Sequence, residues 1–103
     1  MRILFIHQGF PGQFVHLVRE LKRREHEIWT ITKKKDKSLS LKGINALYYN
    51  ISRGNAENIH HLCREVESKT IRGEAVAQQA FKLRESNKNP DIIIGHPGWG
   101  EML

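Results

Sequence analysis

Cysteine is nearly missing from this sequence, with Cys63 the only one among 103 residues. A single thiol excludes an intramolecular disulfide, so a stapled secreted scaffold is out and a reducing cytoplasm is the expected setting. Long hydrophobic runs are also missing. Residues 3–6 and 92–94 are the clearest apolar stretches, far short of the ~20 residues a spanning helix needs. Residues 3–6 are followed at once by His7 and Gln8 with no small-residue cleavage site, which is not the pattern of a secretory signal. Acidic residues are outnumbered, 11 against 17 Lys and Arg, for a net charge of +6. That favours anionic partners such as nucleotide phosphates or acidic lipid headgroups. Nucleic acid is not expected, because no aromatic residues interleave with the basic cluster Lys33, Lys34, Lys35 and Lys37. Lys22, Arg23 and Arg24 instead close a helix, where cations suit the dipole. No strong nucleophile and no paired carboxylates stand out. Cys63 has no catalytic partner by motif, so inert burial is its expected state.

What is present is a regular α/β pattern. Residues 3–6 form a continuous apolar run, as in a strand buried on both faces of a parallel sheet. Gly9, Pro11 and Gly12 break it, and Phe14, Leu17, Val18 and Leu21 then fall on one face of a helix that stops near Arg24. Residues 27–32 are the second strand, 33–43 a polar loop, and 44–51 a third strand. A turn over 52–55 follows, with Asn55 as a helix N-cap. A long helix over 56–85 carries the stripe Ile59, Leu62, Val66, Gly73, Ala77 and Ala80. Its mid-helix Gly73 reads either as a close helix–sheet approach or as a break. Residues 92–94 are the clearest buried strand, and 101–103 look like a new helix beginning.

The order β-α-β-β-α-β predicts a doubly wound, mostly parallel four-stranded sheet in the order 3-2-1-4. Ligands in such sheets sit outside the carboxyl ends of the strands, where the winding reverses. Two loops meet there, residues 7–13 and 95–100. In the first, Gly9 and Gly12 permit tight turning and close approach, and the following helix start offers N–H groups to an anion. The spacing is G-x-x-G rather than G-x-G-x-x-G, and the second strand ends in Thr32-Lys33-Lys34 without an acidic residue. Both features argue against a dinucleotide cofactor and an oxidoreductase. In the second loop His96 offers a hydrogen bond to a sugar hydroxyl or phosphate, and Trp99 either stacks on a sugar or fills core. His60 and His61 are adjacent on a helix and so point apart. A His7–His96 metal pair lacks a third ligand. No metal or cofactor is expected.

The segments RILFIHQGFPGQF at 2–14 and PDIIIGHPGWGE at 90–101 resemble the amino-terminal region of family-4-type, two-domain (GT-B) glycosyltransferases, and IRGEAVAQQAFKLRE at 71–85 fits the same family. The resemblance implies a Rossmann-like acceptor-side domain. It faces a second domain that holds a nucleotide-sugar donor, and transfer is typically retaining and metal-independent. Gly9 and Gly12 match the glycine loop facing the donor phosphates, with Phe10 and Gln13 of the same loop as further expected substrate-binding residues, and His96, Gly98 and Trp99 match the second loop lining the cleft. Implied partners are the nucleotide sugar and a sugar or lipid-linked acceptor. An anionic membrane surface is a further expected partner, with the protein cytoplasmic or peripheral to the inner face. A second copy is another, through the open edge of the fourth strand.

The sequence departs from the family in two ways. Glu25 stands where a glycine usually ends the first helix (REHE, not RGHE). Leu103 falls inside the expected first domain, so residues 1–103 read as one incomplete domain, inactive alone. The alternative is a stand-alone small-ligand or protein-interaction module with an anion-binding glycine loop.

Overall fold

The computed structural model describes residues 1–33, 43–51, 53–100 and 102, and for Trp99 the backbone only. Most of the polar loop expected over 33–43, Ser52 in the turn before Asn55, and all but Met102 of the helix expected at 101–103 lie outside the described residues. The elements are β1 (Arg2–Ile6), α1 (Val15–Arg23), β2 (Glu27–Lys33), β3 (Asn45–Tyr49), α2 (Arg64–Glu85) and β4 (Ile92–Gly95). They form a four-stranded sheet in the order β3-β2-β1-β4, and every pairing is parallel.

The alternation of side chains along each strand splits the core in two. Ile3, Phe5 and Ile28 pack with Val18 of α1 and with Phe10, while Leu4, Ile6, Ile31 and Tyr49 pack with Val76 and Leu83 of α2. The central position of β1 explains its continuous apolar run. At the opposite end of the strands from their carboxyl termini, Asp91 accepts the Arg2 N–H at 2.7 Å, and the Arg2 guanidinium donates to Glu27 at 2.6 Å. That guanidinium, and then the Trp29 indole N–H, hold the Glu27 carboxyl below the usual carboxylate range.

Both helices end in the same way. At α1, His26 N–H donates to Leu21 C=O and Glu25 N–H to Lys22 C=O, with Glu25 at φ 63°. At α2, Lys88 N–H donates to Leu83 C=O and Asn87 N–H to Arg84 C=O, with Asn87 at φ 58°. These are left-handed terminations that favour glycine. Asn tolerates the conformation, but Glu25 has no such excuse, and the strain is of the order of ~1 kcal/mol. Glu25→Gly should therefore raise the thermal midpoint by about 4–8 °C for a domain of this size. An unchanged or lower midpoint in a calorimetric scan would show that the cap is not strained.

Three expectations are corrected. The long helix begins at Arg64, not at 56, and its lead-in turn His61–Cys63 is capped by His60, whose Nδ1 accepts from Leu62 N–H at 3.1 Å. Asn55 is not the cap. The buried stripe is Gly73, Val76 and Leu83 with half-buried Ala80, whereas Leu62 and Val66 are exposed. The helix runs unbroken through Gly73, which is buried. The fourth strand is not deeply buried. Ile92 is 42% and Ile93 53% exposed, because β4 is the edge of the sheet among the described residues. Among the described residues no helix is long and apolar enough to cross a membrane.

Candidate functional site

The loop after β1 is fastened to its neighbours from below. Phe10 turns inward, 1% exposed, with its ring centroid 5.7 Å from that of Phe5. Phe14 lies 5.3 Å from the same ring. Thr32, at the end of β2, works in both directions: its hydroxyl donates to Gln8 C=O at 3.1 Å and accepts from Phe10 N–H at 3.2 Å. The Lys33 N–H adds a bond to Gln8 C=O at 3.2 Å. Thr32 was not singled out by the sequence. Its partners lie 22 and 24 residues away, so no local spacing marks it.

The histidines then fold back on their own loops. Gly9 N–H donates to His7 Nδ1 at 2.9 Å, and Gly98 N–H donates to His96 Nδ1 at 3.0 Å. Gly12 sits at φ +50°, where a Cβ would lie 2.6 Å from His7 Cε1; at Gly98 a Cβ would lie 2.6 Å from His96 Cε1. The space that glycine leaves at these positions is occupied by an imidazole of the same loop. Gly100, at φ +96°, has its Cβ position blocked by the backbone of Lys69, which seats the second loop against α2.

The sheet brings the two loops together. Ile6 of β1 is in register with Gly95 of β4, so His7 and His96 emerge side by side, with ring centroids 6.5 Å apart. With Nδ1 engaged as an acceptor, each neutral ring carries its proton on Nε2. Among the described residues, the Nε2 of His96 has no hydrogen-bond partner. Beside them the turn Gly12–Phe14 and the start of α1 have no side-chain cap and no acidic residue in the first turn. The positive end of that helix is open to an anion.

Gly9, Gly12, His96 and Gly98 thus converge at the reversal of winding, and Gln13 is exposed beside them. Phe10 does not face the crevice; a ring 1% exposed has no surface to offer a ligand, and its contribution is packing. The side chain of Trp99 lies outside the described residues. Cys63 is exposed rather than buried, and it stands at the N-cap of α2. His60 and His61 do not point apart; they precede the α-helix and their rings stack 4.3 Å apart. Among the described residues no three His, Cys, Asp or Glu side chains cluster as metal ligands.

Residues 24–103 match the family model described as "Glycosyl transferase family 4 group". The match begins after the first loop, so it reaches His96 and Gly98 but not Gly9 or Gly12. No curated protein and no solved structure matches the chain.

Proposed function

Because the chain belongs to the glycosyl transferase family 4 group, we propose that residues 1–103 form the acceptor-side wall of a two-domain (GT-B) cleft in which a sugar passes from a nucleotide-sugar donor to a sugar or lipid-linked acceptor. The observation that carries this is the meeting of His7 and His96 at the carboxyl ends of β1 and β4 beside an uncapped helix start. Each part has a chemical task. The open N–H groups ahead of α1 face donor phosphate oxygens. His96 donates from Nε2 to a sugar hydroxyl or phosphate oxygen. Thr32 and Phe10 hold the first loop so that its amides are set before the ligand arrives. Retention without a metal is the course of transfer that the family resemblance supports. The donor-binding half of such a cleft is not among these residues, so no transfer is expected from them alone.

His96→Ala removes one neutral hydrogen bond to the ligand, worth about 0.5–1.5 kcal/mol, and also releases the exposed Gly98 N–H to water. It should weaken binding of a nucleotide sugar roughly 2–10-fold by calorimetric titration, with the thermal midpoint little changed, since the ring is only half-buried. An unchanged dissociation constant would remove His96 from the site.

A further inference from the structure

Strand β4 leaves one edge of the sheet uncovered among the described residues. Ile92–Gly95 carries no charged residue and no proline, the usual guards of an open edge. Asp91, just ahead of it, is turned toward β1, where it accepts the Arg2 N–H. Beside Ile93, on the α2 face, lies an apolar hollow of 240 Å³ whose lining includes Ala77, Ala80 and Met102. Phe81, one turn beyond Ala77, is 58% exposed, and Met102 41%. The peptide groups of the strand are also unevenly used. Glu27 N–H donates to Met1 C=O and His7 N–H to Ile31 C=O, so Ile3 and Phe5 of β1 bond to β2, while Leu4 and Ile6 bond to β4. With Leu4 in register with Ile93, the groups that answer Leu4 belong to Ile92 and Ile94. The N–H and C=O of Ile93 point out of the sheet.

An occupant of this edge has to bring free peptide groups and apolar side chains on both faces, which is what a strand offers and a helix does not. We propose that the occupant is a second copy of this chain, its β4 running antiparallel about a two-fold axis at Ile93. The run Ile92-Ile93-Ile94 reads the same in both directions, so the edge is its own complement, as a two-fold contact requires. Ile93 exchanges N–H···O=C bonds with its symmetry mate, and Ile92 lies opposite Ile94 of the second copy on the α1 face. The strand has no charged side chain to meet its own mate, so the net charge of +6 is not concentrated at the contact. Phe81, Ile92, Ile93 and Met102 leave roughly 400 Å² uncovered per copy, the size of patch that marks an interaction site. Two copies bring roughly 800 Å² from these side chains alone, against the ~1,200 Å² at which specific interfaces begin. The paired backbones and flanking residues supply the remainder. The joined sheet has the two β4 strands at its centre, and the two crevices open at its opposite ends. Self-association thus leaves the candidate site free, and the inference does not rest on the function proposed above.

The test is the mass of the whole chain in solution, by sedimentation velocity with reductant across a concentration series. We expect a dimer that dissociates on dilution. Ile93→Lys sets two ammonium groups against each other at the axis and should weaken the dimer at least tenfold. That side chain is 53% exposed in the single chain, so the variant should keep the wild-type circular dichroism spectrum. Ile93→Cys in a Cys63→Ser background gives a second reading, which decides the matter should Ile93→Lys unfold. Mates in such a pair have Cα atoms about 5.5 Å apart, within disulfide reach, so mild oxidation should yield a covalent dimer. Asn89→Cys, exposed and ahead of the strand, should stay uncrosslinked. A wild-type chain that is monomeric at the highest concentration, a dimer that a folded Ile93→Lys leaves intact, or equal crosslinking at the two cysteine variants would overturn the proposal.

Discussion

Phe10→Ala is expected to be the most damaging single change in the first loop, costing about 3–5 kcal/mol of folding stability. The ring is 1% exposed and packed against Phe5, itself 0% exposed, so truncation opens a cavity in the core. A small domain has only about 5–15 kcal/mol in total. A loss of that size should lower the thermal midpoint by more than about 10 °C. Gln13→Ala, two residues past Pro11 and exposed, should stay within about 0.5 kcal/mol of wild type. Equal, small effects at both positions in a denaturant titration would mean that Phe10 is a surface residue after all.

Gly100→Ala should rank second. A Cβ in the left-handed region costs about 1–2 kcal/mol, and here it also drives into the Lys69 backbone, which cannot swing aside as a side chain can. Overpacking adds roughly 1–3 kcal/mol. Gly98→Ala makes a useful contrast. Its Cβ meets only the movable ring of His96, so it should cost little stability while displacing the histidine and weakening nucleotide-sugar binding. Gly54→Ala, with nothing within 4 Å of its Cβ, is the neutral control. If Gly100→Ala melts with Gly54→Ala, the seat of the second loop on α2 is not tight.

The topology was legible because it rests on periodicity. An unbroken apolar run at residues 3–6, a 3.6-residue stripe at Phe14 to Leu21 and a second unbroken run at 92–94 mark out the β-α-β-β-α-β succession, and right-handed crossovers then order the strands 3-2-1-4. The start of α2 was not legible for the same reason. Ile59, Leu62 and Val66 have helical spacing, yet Leu62 and Val66 are exposed and Ile59 precedes the helix. Spacing reports which residues share a face, not what lies opposite that face. At β4 the sequence shows three isoleucines but cannot show that they stand at an edge.

The candidate site divides along similar lines. Strand ends and glycines located both loops, and their meeting followed from the strand order. Which loop residues face out did not follow. Phe10 and Gln13 are three residues apart in one motif, and only the packing of Phe5 and Phe14 decides that the first turns in. Nor could the sequence show that Gly12 and Gly98 make room for the histidines of their own loops, since that depends on side-chain rotamers. Thr32 joins residues that are separate in the chain, and no linear motif records it.

The central claim is that the two loops form one binding site. It is tested most directly by following the backbone amides of residues 9–13 and 96–100 together during titration with a nucleotide sugar. The account predicts that Gly12, Gln13 and Gly98 shift along one isotherm with one dissociation constant, and that His96→Ala weakens the response at both loops. Saturation of Gly12 and Gln13 while Gly98 stays fixed, or a first-loop response that His96→Ala leaves untouched, would contradict it.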